Sequence, residues 1–472
     1  MLEGNDDMNH WRILLAFGTL SVLATFSAAG GPGLVPYPEF VDVTLDNGLR
    51  VLVAEHQEQP AVFYRMLVPV GVRDEPCGKE GLASLAAALL TQGTVSRSDA
   101  EIAEAIDGVG GRLRATAGIE YTTVGSEVLA EDLELGLELF SESILSPTFP
   151  AKAFKRARKE FKAAVEQRHT DPSALAITHA CSMLIDREHR LSRPVTKKSL
   201  RHVQVAAVRA FHRRHYVPNG SMLVALGDFG AQEMLERITE TFGGWEPGAM
   251  PARAPVSLAR PAGVAFRFVH KPGLTQGTIA LCQPGLSSSD PDVPAWRLLN
   301  RILGGGGFSS RLMTAIRTEA GRTYSISSHG IQYPDYGYSL IRTSTQNREV
   351  VATYEAVLAE IDKLLDEGVT EEELEKAKSY YAGSIPLGLE WPGHIATSVL
   401  EGLYEGRTLG DMRNEIVELD AVTLEDVNRV ARKYLNTEAF ILVIVGDGRR
   451  LRKPLRAIAP FEEVHYGNAS IR

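Results

Sequence analysis

Residues 221–228 read SMLVALGD and residues 439–447 read AFILVIVGD. Each is a run of aliphatic and β-branched residues closed by Gly-Asp, the composition of a strand buried on both faces. The text before each run is also alike. VQVAAVRAFHRRHYVPN (203–219) leads into the first, and TLEDVNRVARKYLN (423–436) leads into the second. Working outward, AGVAFRFVHKPGLTQGTIALC (262–282) echoes the opening strands, and PAWRLLNRILG (294–304) falls where the first unit has GLASLAAALLTQG (81–93). A pattern that restarts in this way implies two copies of one α+β unit of about 200 residues. The expected fold class is α+β, with two homologous α/β sandwich-like halves at 39–246 and 262–465. Residues 247–261, rich in Pro, Ala and Arg, read as a linker between them.

Inside the first unit, VTLDNGLRVLV places Asp46-Asn47-Gly48 between two β-rich runs, a strong hairpin signal. Helical patterns follow at 81–90, 98–109, 132–144 and 151–167, with strands at 113–128; Ser98 and Glu101 have the spacing of a capping box. In the second unit, 323–345 is strand-rich and 349–367 is helical.

The chain has 472 residues, 44% of them hydrophobic and 23% charged, so disorder and fibrous architectures are excluded as its main theme. A net charge of −9 leaves no basic field to attract nucleic acid. Cys77, Cys181 and Cys282 have no metal spacing and cannot all pair, so buried free thiols are expected. Residues 13–26 form an apolar run after Arg12, with Ser27 and Ala29 spaced as at a cleavage site. The run is short of the roughly 20 residues that span a bilayer, so residues 1–29 read as a signal peptide and the mature chain as exported, in the periplasm. An uncleaved signal anchor is the alternative, and the acidic MLEGNDD before the run makes Met8 a plausible start.

A search for catalytic motifs is nearly empty. There is no GxSxG elbow and neither HExxH nor HxxEH. GVRDEPCGK (71–79) has the wrong spacing for a phosphate loop, and Glu80 would repel the phosphates. His212 and His215 share a helix face without a third ligand, and read as a partly exposed helix end. The basic run KAFKRARKEFK (152–162) reads as a solvated helix face. Two stretches stand out. GLASLAAALLTQGT (81–94) is a small-residue helix. ILGGGGFSSRLMTAIRTEAGRTYS (302–325) is a four-glycine turn, a helix, Gly321 as its C-terminal cap, and a strand carrying Tyr324. Arg317 and Tyr324 stand across a helix–strand corner and could face one cleft, while a core tyrosine at 324 is an equal alternative.

Together TLDNGLRVLV, VGVRDE, IDGVGGRLRATAGIEYT, FHRRHYVPN, LGDF and GGGGFSSRL…IRTEAGRTYS resemble the pitrilysin/insulinase family of zinc metallopeptidases, which includes the mitochondrial processing peptidase. The resemblance runs from about residue 39 to about 464. It implies a duplicated metallopeptidase-like fold in which two chains or half-molecules close around a peptide. Active members carry HxxEH on the first helix, two histidines for zinc and a glutamate to activate water. Here the histidine positions are Ser84 and Ala88, the glutamate position is Ala87, and the third ligand aligns with Ala163–Ala164. The resemblance therefore implies no metal in this chain.

What the resemblance leaves is the other half of the machinery. Arg317 and Tyr324 match the family's arginine–tyrosine pair, and Gly304, Gly305, Gly306, Gly307 and Phe308 match its substrate-binding turn. The strand from Thr323 could add a peptide by edge pairing. The implied function is a chain inactive alone that serves metalloendopeptidase activity beside a homologous HxxEH-bearing, zinc-holding partner, acting on peptides. The alternative is a non-enzymatic scaffold or peptide-binding pseudopeptidase. A homodimer is possible for the chain alone.

Overall fold

The computed structural model describes residues 33–250 and 252–467; the run at 13–26, and with it the export expectation, lies outside them. The first half holds β1 (Val41–Thr44), β2 (Arg50–Glu55), β3 (Ala61–Val68), β4 (Arg112–Ala117), β5 (Thr122–Leu129) and β6 (Met222–Gly227) in a sheet of order β1-β2-β6-β3-β5-β4. The second holds β7 (Ala265–His270), β8 (Gln276–Pro284), β9 (Thr323–Gln332), β10 (Gly337–Gln346), β11 (Ile441–Gly446) and β12 (Phe461–His465) in the order β12-β7-β11-β8-β10-β9. The two orders superimpose strand for strand. LVALGD and LVIVGD supply β6 and β11, and both strands are buried throughout. Each comes last among its sheet's five repeated strands yet enters the centre, parallel to β2 or β7 and antiparallel to β3 or β8. That position explains their unbroken apolar text.

The edge strand differs between the copies. β1 comes from the N-terminal side and runs antiparallel to β2, whereas β12 comes from the C-terminal end and runs parallel to β7. The β1–β2 hairpin turns where Asp46-Asn47-Gly48 predicts, with Gly48 at φ +87°. Asn47 is buried, and its side-chain amide donates to the Phe242 and Trp245 carbonyls at 2.8 and 3.1 Å. The expected capping box forms at Ser98 and Glu101.

Each sheet packs its own helices on one face. Tyr64, Met66 and Val124 meet Leu85, Leu89 and Phe140 in the first half, and Phe268, Ile279 and Leu442 meet Leu298, Val357 and Val430 in the second. The other face of each sheet is covered by the opposite half. Helix Pro392–Tyr404 lays Ile395, Val399 and Leu400 against Leu52, Leu67 and Val224. Helix Pro172–Leu184 lays Leu175, Ala180 and Leu184 against Ala280, Ile441 and Val443. Each fully buried Leu, Ile or Val side chain here contributes about 1.5–3 kcal/mol, so the exchange locks the halves together.

The Pro/Arg-rich connector is not a loose tether. The Arg253 guanidinium donates to Asp74 at 2.8 Å, Glu120 at 3.0 Å and the Tyr404 hydroxyl at 2.6 Å, and Arg73 bridges Glu120 to Asp335 of the second half. All three cysteines are free; Cys282 is buried as expected, but Cys181 is only half-buried and Cys77 is exposed on the loop before helix Leu82–Leu90. No helix among the described residues is long and apolar enough to cross a membrane.

Candidate functional site

Helix Leu82–Leu90 lies over the edge strand β4 and packs against helices Ala151–Thr170 and Val205–His215. Its first turn is held from below. The buried Glu75 carboxylate accepts the Gly81 N–H at 3.1 Å and the Ala83 N–H at 2.8 Å, donors that a helix start leaves unpaired. Arg190, also buried, closes on the same carboxylate, its Nε at 3.0 Å from Oε2. Gly81 itself sits at φ +102°, with Leu200 and Phe161 where a Cβ would be. Glycine is the residue that this crowded left-handed position takes.

The positions where the family would hold metal present nothing that could bind one. Ser84 is half-buried, Ala88 exposed and Ala87 only 1% exposed in the packed core. Ala163 and Ala164 are exposed on the neighbouring helix. Four methyl groups and one hydroxyl offer no ligand set for zinc, which takes imidazole, thiolate or carboxylate. Among the described residues no group of three or more His, Cys, Asp or Glu side chains could hold a metal ion. His212 is no exception. Its Nε2 meets the Ile144 carbonyl at 2.8 Å, and its ring stacks on Tyr216 at 4.7 Å. Burial pushes its pKa down to about 4, so the imidazole is neutral at pH 7. His212 is thus half-buried at the helix end, where the sequence predicts a partly exposed histidine, and its ring is engaged by its neighbours.

The second half does something different over its own edge strand. Helix Val293–Asn300 runs into a π-helical turn, Arg301–Gly305, and a second π-helix follows at Met313–Glu319. The four glycines are therefore not one open turn. A Cβ on Gly304 would lie 2.7 Å from the Ser328 backbone nitrogen, and one on Gly306 would lie 2.7 Å from the Arg301 carbonyl oxygen. Gly304 and Gly306 serve close packing, Gly304 directly against β9. Among the four, only Gly307 has positive φ, +58°, with open space around it. Gly305 and Gly307 are exposed. Gly321, at φ +61°, closes the second π-helix as its sequence position predicts, its N–H donating to the Arg317 carbonyl at 3.1 Å.

This irregular path brings Arg317, Tyr324 and Phe308 together. The Arg317 guanidinium carbon lies 4.5 Å from the Phe308 ring centre and 5.1 Å from that of Tyr324, a cation held between two aromatic rings. Phe308 is 72% exposed and Tyr324 is 82% exposed, which rules out the core alternative for the tyrosine. β9 is an edge strand, pairing only with β10 among the described strands. Sequence reasoning found the arginine and tyrosine by their placement across a helix–strand corner and by their match to a family pattern. It missed that Phe308 completes the stack, since nothing in residue spacing ties 308 to 317 across two irregular turns.

Two family models match the chain: "Insulinase (Peptidase family M16)" over residues 50–198 and "Peptidase M16 inactive domain" over residues 202–381. The chain is 28% identical over 415 residues to an uncharacterised zinc protease of Streptomyces coelicolor, spanning 85% of this chain and 88% of that protein. It is 29% identical over 412 residues to an uncharacterised zinc protease of Mycobacterium leprae, spanning 83% and 88%. Among solved structures it is similar to a peptidase M16 inactive domain from Pseudomonas fluorescens, with TM-score 0.81 and 24% identity over 87% of this chain and 98% of that one. It is also similar to a protease from Helicobacter pylori, with TM-score 0.79 and 21% identity over 87% and 100%. At these identities the two structures speak for the fold.

Proposed function

The chain belongs to the M16 (insulinase/pitrilysin) family, with two homologous M16-type domains in one chain, and from that premise we propose that it is the metal-free subunit of a two-chain zinc peptidase. Its partner would be a homologous chain bearing HxxEH and the zinc. This chain would contribute peptide-binding and transition-state-stabilising groups, and would be exported with its partner. One observation carries the reading. The ligand and base positions at 84, 87, 88, 163 and 164 are stripped to Ser and Ala, while Arg317, Tyr324 and Phe308 stand together and exposed on an irregular segment.

The chemistry assigned to this chain is hydrogen bonding and positioning. The Tyr324 hydroxyl would donate to the oxyanion that forms when a peptide carbonyl is attacked, a contact stronger in the transition state than in the ground state. Arg317, fixed between its two rings, would bind a substrate carbonyl or hold the tyrosine in place. Gly307 lets a peptide backbone approach, and the outer edge of β9 offers N–H and C=O groups to an extended strand. No hydrolytic step is assigned to the first half, whose side chains do not fit a catalytic metal.

The test is to assay the purified chain alone, the HxxEH-bearing homologue alone, and the two together on a peptide library. Hydrolysis that needs both chains supports the subunit reading. Full activity of the homologue alone, with no gain on mixing, contradicts it and leaves a scaffold or peptide-binding pseudopeptidase.

A further inference from the structure

Helix Ala151–Thr170 meets helix Lys197–His202 around a concave pocket of about 310 Å³. Lys155, Arg158, Lys159, Lys162, Lys197 and Arg201 line it, with Leu200 as its apolar wall. In a chain of net charge −9, six cations around one small hollow are a local exception. Lys155, Arg158, Lys159 and Lys162 fall at i, i+3, i+4 and i+7 of one helix face, where like charges repel across each turn. One carboxylate answers them: Glu166 pairs with Lys197 at 2.5 Å. Lys155, Lys159, Lys162 and Arg201 make no ion pair among the described residues. Arg158 is held in place, its guanidinium donating to the Val203 carbonyl at 3.2 Å and lying 5.1 Å from the Phe154 ring centre.

The pocket adjoins the stripped metal position. Leu200, on its wall, is 2.6 Å from where a Gly81 Cβ would stand, at the start of the helix that carries Ser84 and Ala88. Ala163 follows Lys159 by one helical turn on the same face. We infer that this pocket docks acidic side chains of a peptide, so that the chain selects peptides carrying Asp or Glu. The inference rests on the peptide-binding reading above and names its substrate class. Charge complementarity commits it to an acidic peptide. A hollow of about 310 Å³ has room for a few carboxylates, and a net charge of −9 over the whole chain weighs against long-range attraction of a polyanion such as DNA or an anionic bilayer.

The experiment titrates the full chain, without partner, against a fluorescent peptide rich in Asp and Glu and against its Asn/Gln counterpart, at low and high salt. The acidic peptide is expected to bind about tenfold more tightly, with the advantage fading at high salt. Lys159→Glu with Lys162→Glu is expected to abolish that advantage, and Lys159→Ala with Lys162→Ala to reduce it, with unchanged circular dichroism because these side chains are at least partly exposed. Equal binding of both peptides, or binding indifferent to the charge reversal, overturns the inference. So does tighter binding of a DNA duplex or of phosphatidylglycerol vesicles than of the acidic peptide. Two-chain hydrolysis that persists without acidic selectivity removes this inference alone, whereas acidic-peptide binding without any two-chain hydrolysis removes the subunit reading alone.

Discussion

Helix Leu82–Leu90 in the first half and residues 293–324 in the second occupy equivalent places, each over the edge strand of its sheet. In the first, every local preference agrees. A run of Leu and Ala makes an uninterrupted α-helix, a buried carboxylate caps it, and its outward positions carry only Ser and Ala. In the second, two π-helical stretches and a glycine pressed against β9 interrupt the path, and a cation between two exposed aromatic rings stands out from it. Irregular helices of this kind collect at functional sites because they aim side chains where a regular helix cannot. One copy of the unit is regular and packed at this place and the other is irregular and exposed, which teaches that two copies can share a sheet frame while differing at its edge.

The contrast can be broken most strongly on the packed side. Glu75→Ala removes the helix cap and strands Arg190 without its partner, and is expected to cost about 3–5 kcal/mol in urea denaturation. An effect under about 1 kcal/mol would mean that the helix does not depend on that pair. The next effect is pH-dependent. His212 is pushed down to about 4 in the fold, against about 6.5 when unfolded, so the unfolded chain takes up the proton first as pH falls. Its contribution is present above pH 6.5 and lost as pH drops toward 4, up to about 3 kcal/mol. His212→Gln, which keeps a donor for Ile144, is expected to flatten the urea midpoint against pH over that window; an unchanged profile would contradict the burial argument.

On the irregular side, Gly304→Ala forces a methyl against the Ser328 nitrogen and is expected to cost about 1–3 kcal/mol. The smallest effect sharpens the comparison. Phe308→Ala and Tyr324→Phe change exposed groups and are expected to move stability by less than about 0.5 kcal/mol, as thermal unfolding would report. A larger loss would make these residues part of the packing rather than of a site.

The duplication was legible because β6 and β11 are central strands, and a strand buried on both faces leaves an unbroken apolar signature that survives divergence. The Asn47-Gly48 hairpin and the Ser98–Glu101 cap were legible because each is a local device with its own chemistry. The reciprocal covering of the sheets was not. Helix Pro172–Leu184 announces an apolar face, but nothing local says that the face belongs to β8 and β11, about a hundred or more residues away. The π-turns escaped for a related reason. Four glycines in a row signal backbone freedom, and only the packing of Gly304 on β9 shows how much of that freedom is spent on close approach. Arg253 escaped because a Pro- and Arg-rich stretch reads as solvated until its carboxylate partners, Asp74 and Glu120, are brought from elsewhere in the chain.

The proposal that the first half has lost its metal set while the second supplies Tyr324 to a partner's site is tested most directly by the initial rate of peptide hydrolysis in the mixture with the HxxEH-bearing homologue, comparing this chain with its Tyr324→Phe variant. Loss of a single oxyanion donor lowers the rate about 10²–10³-fold, and that fall, with binding of the two chains unchanged, is the expected result. A variant mixture as fast as the original would contradict the account.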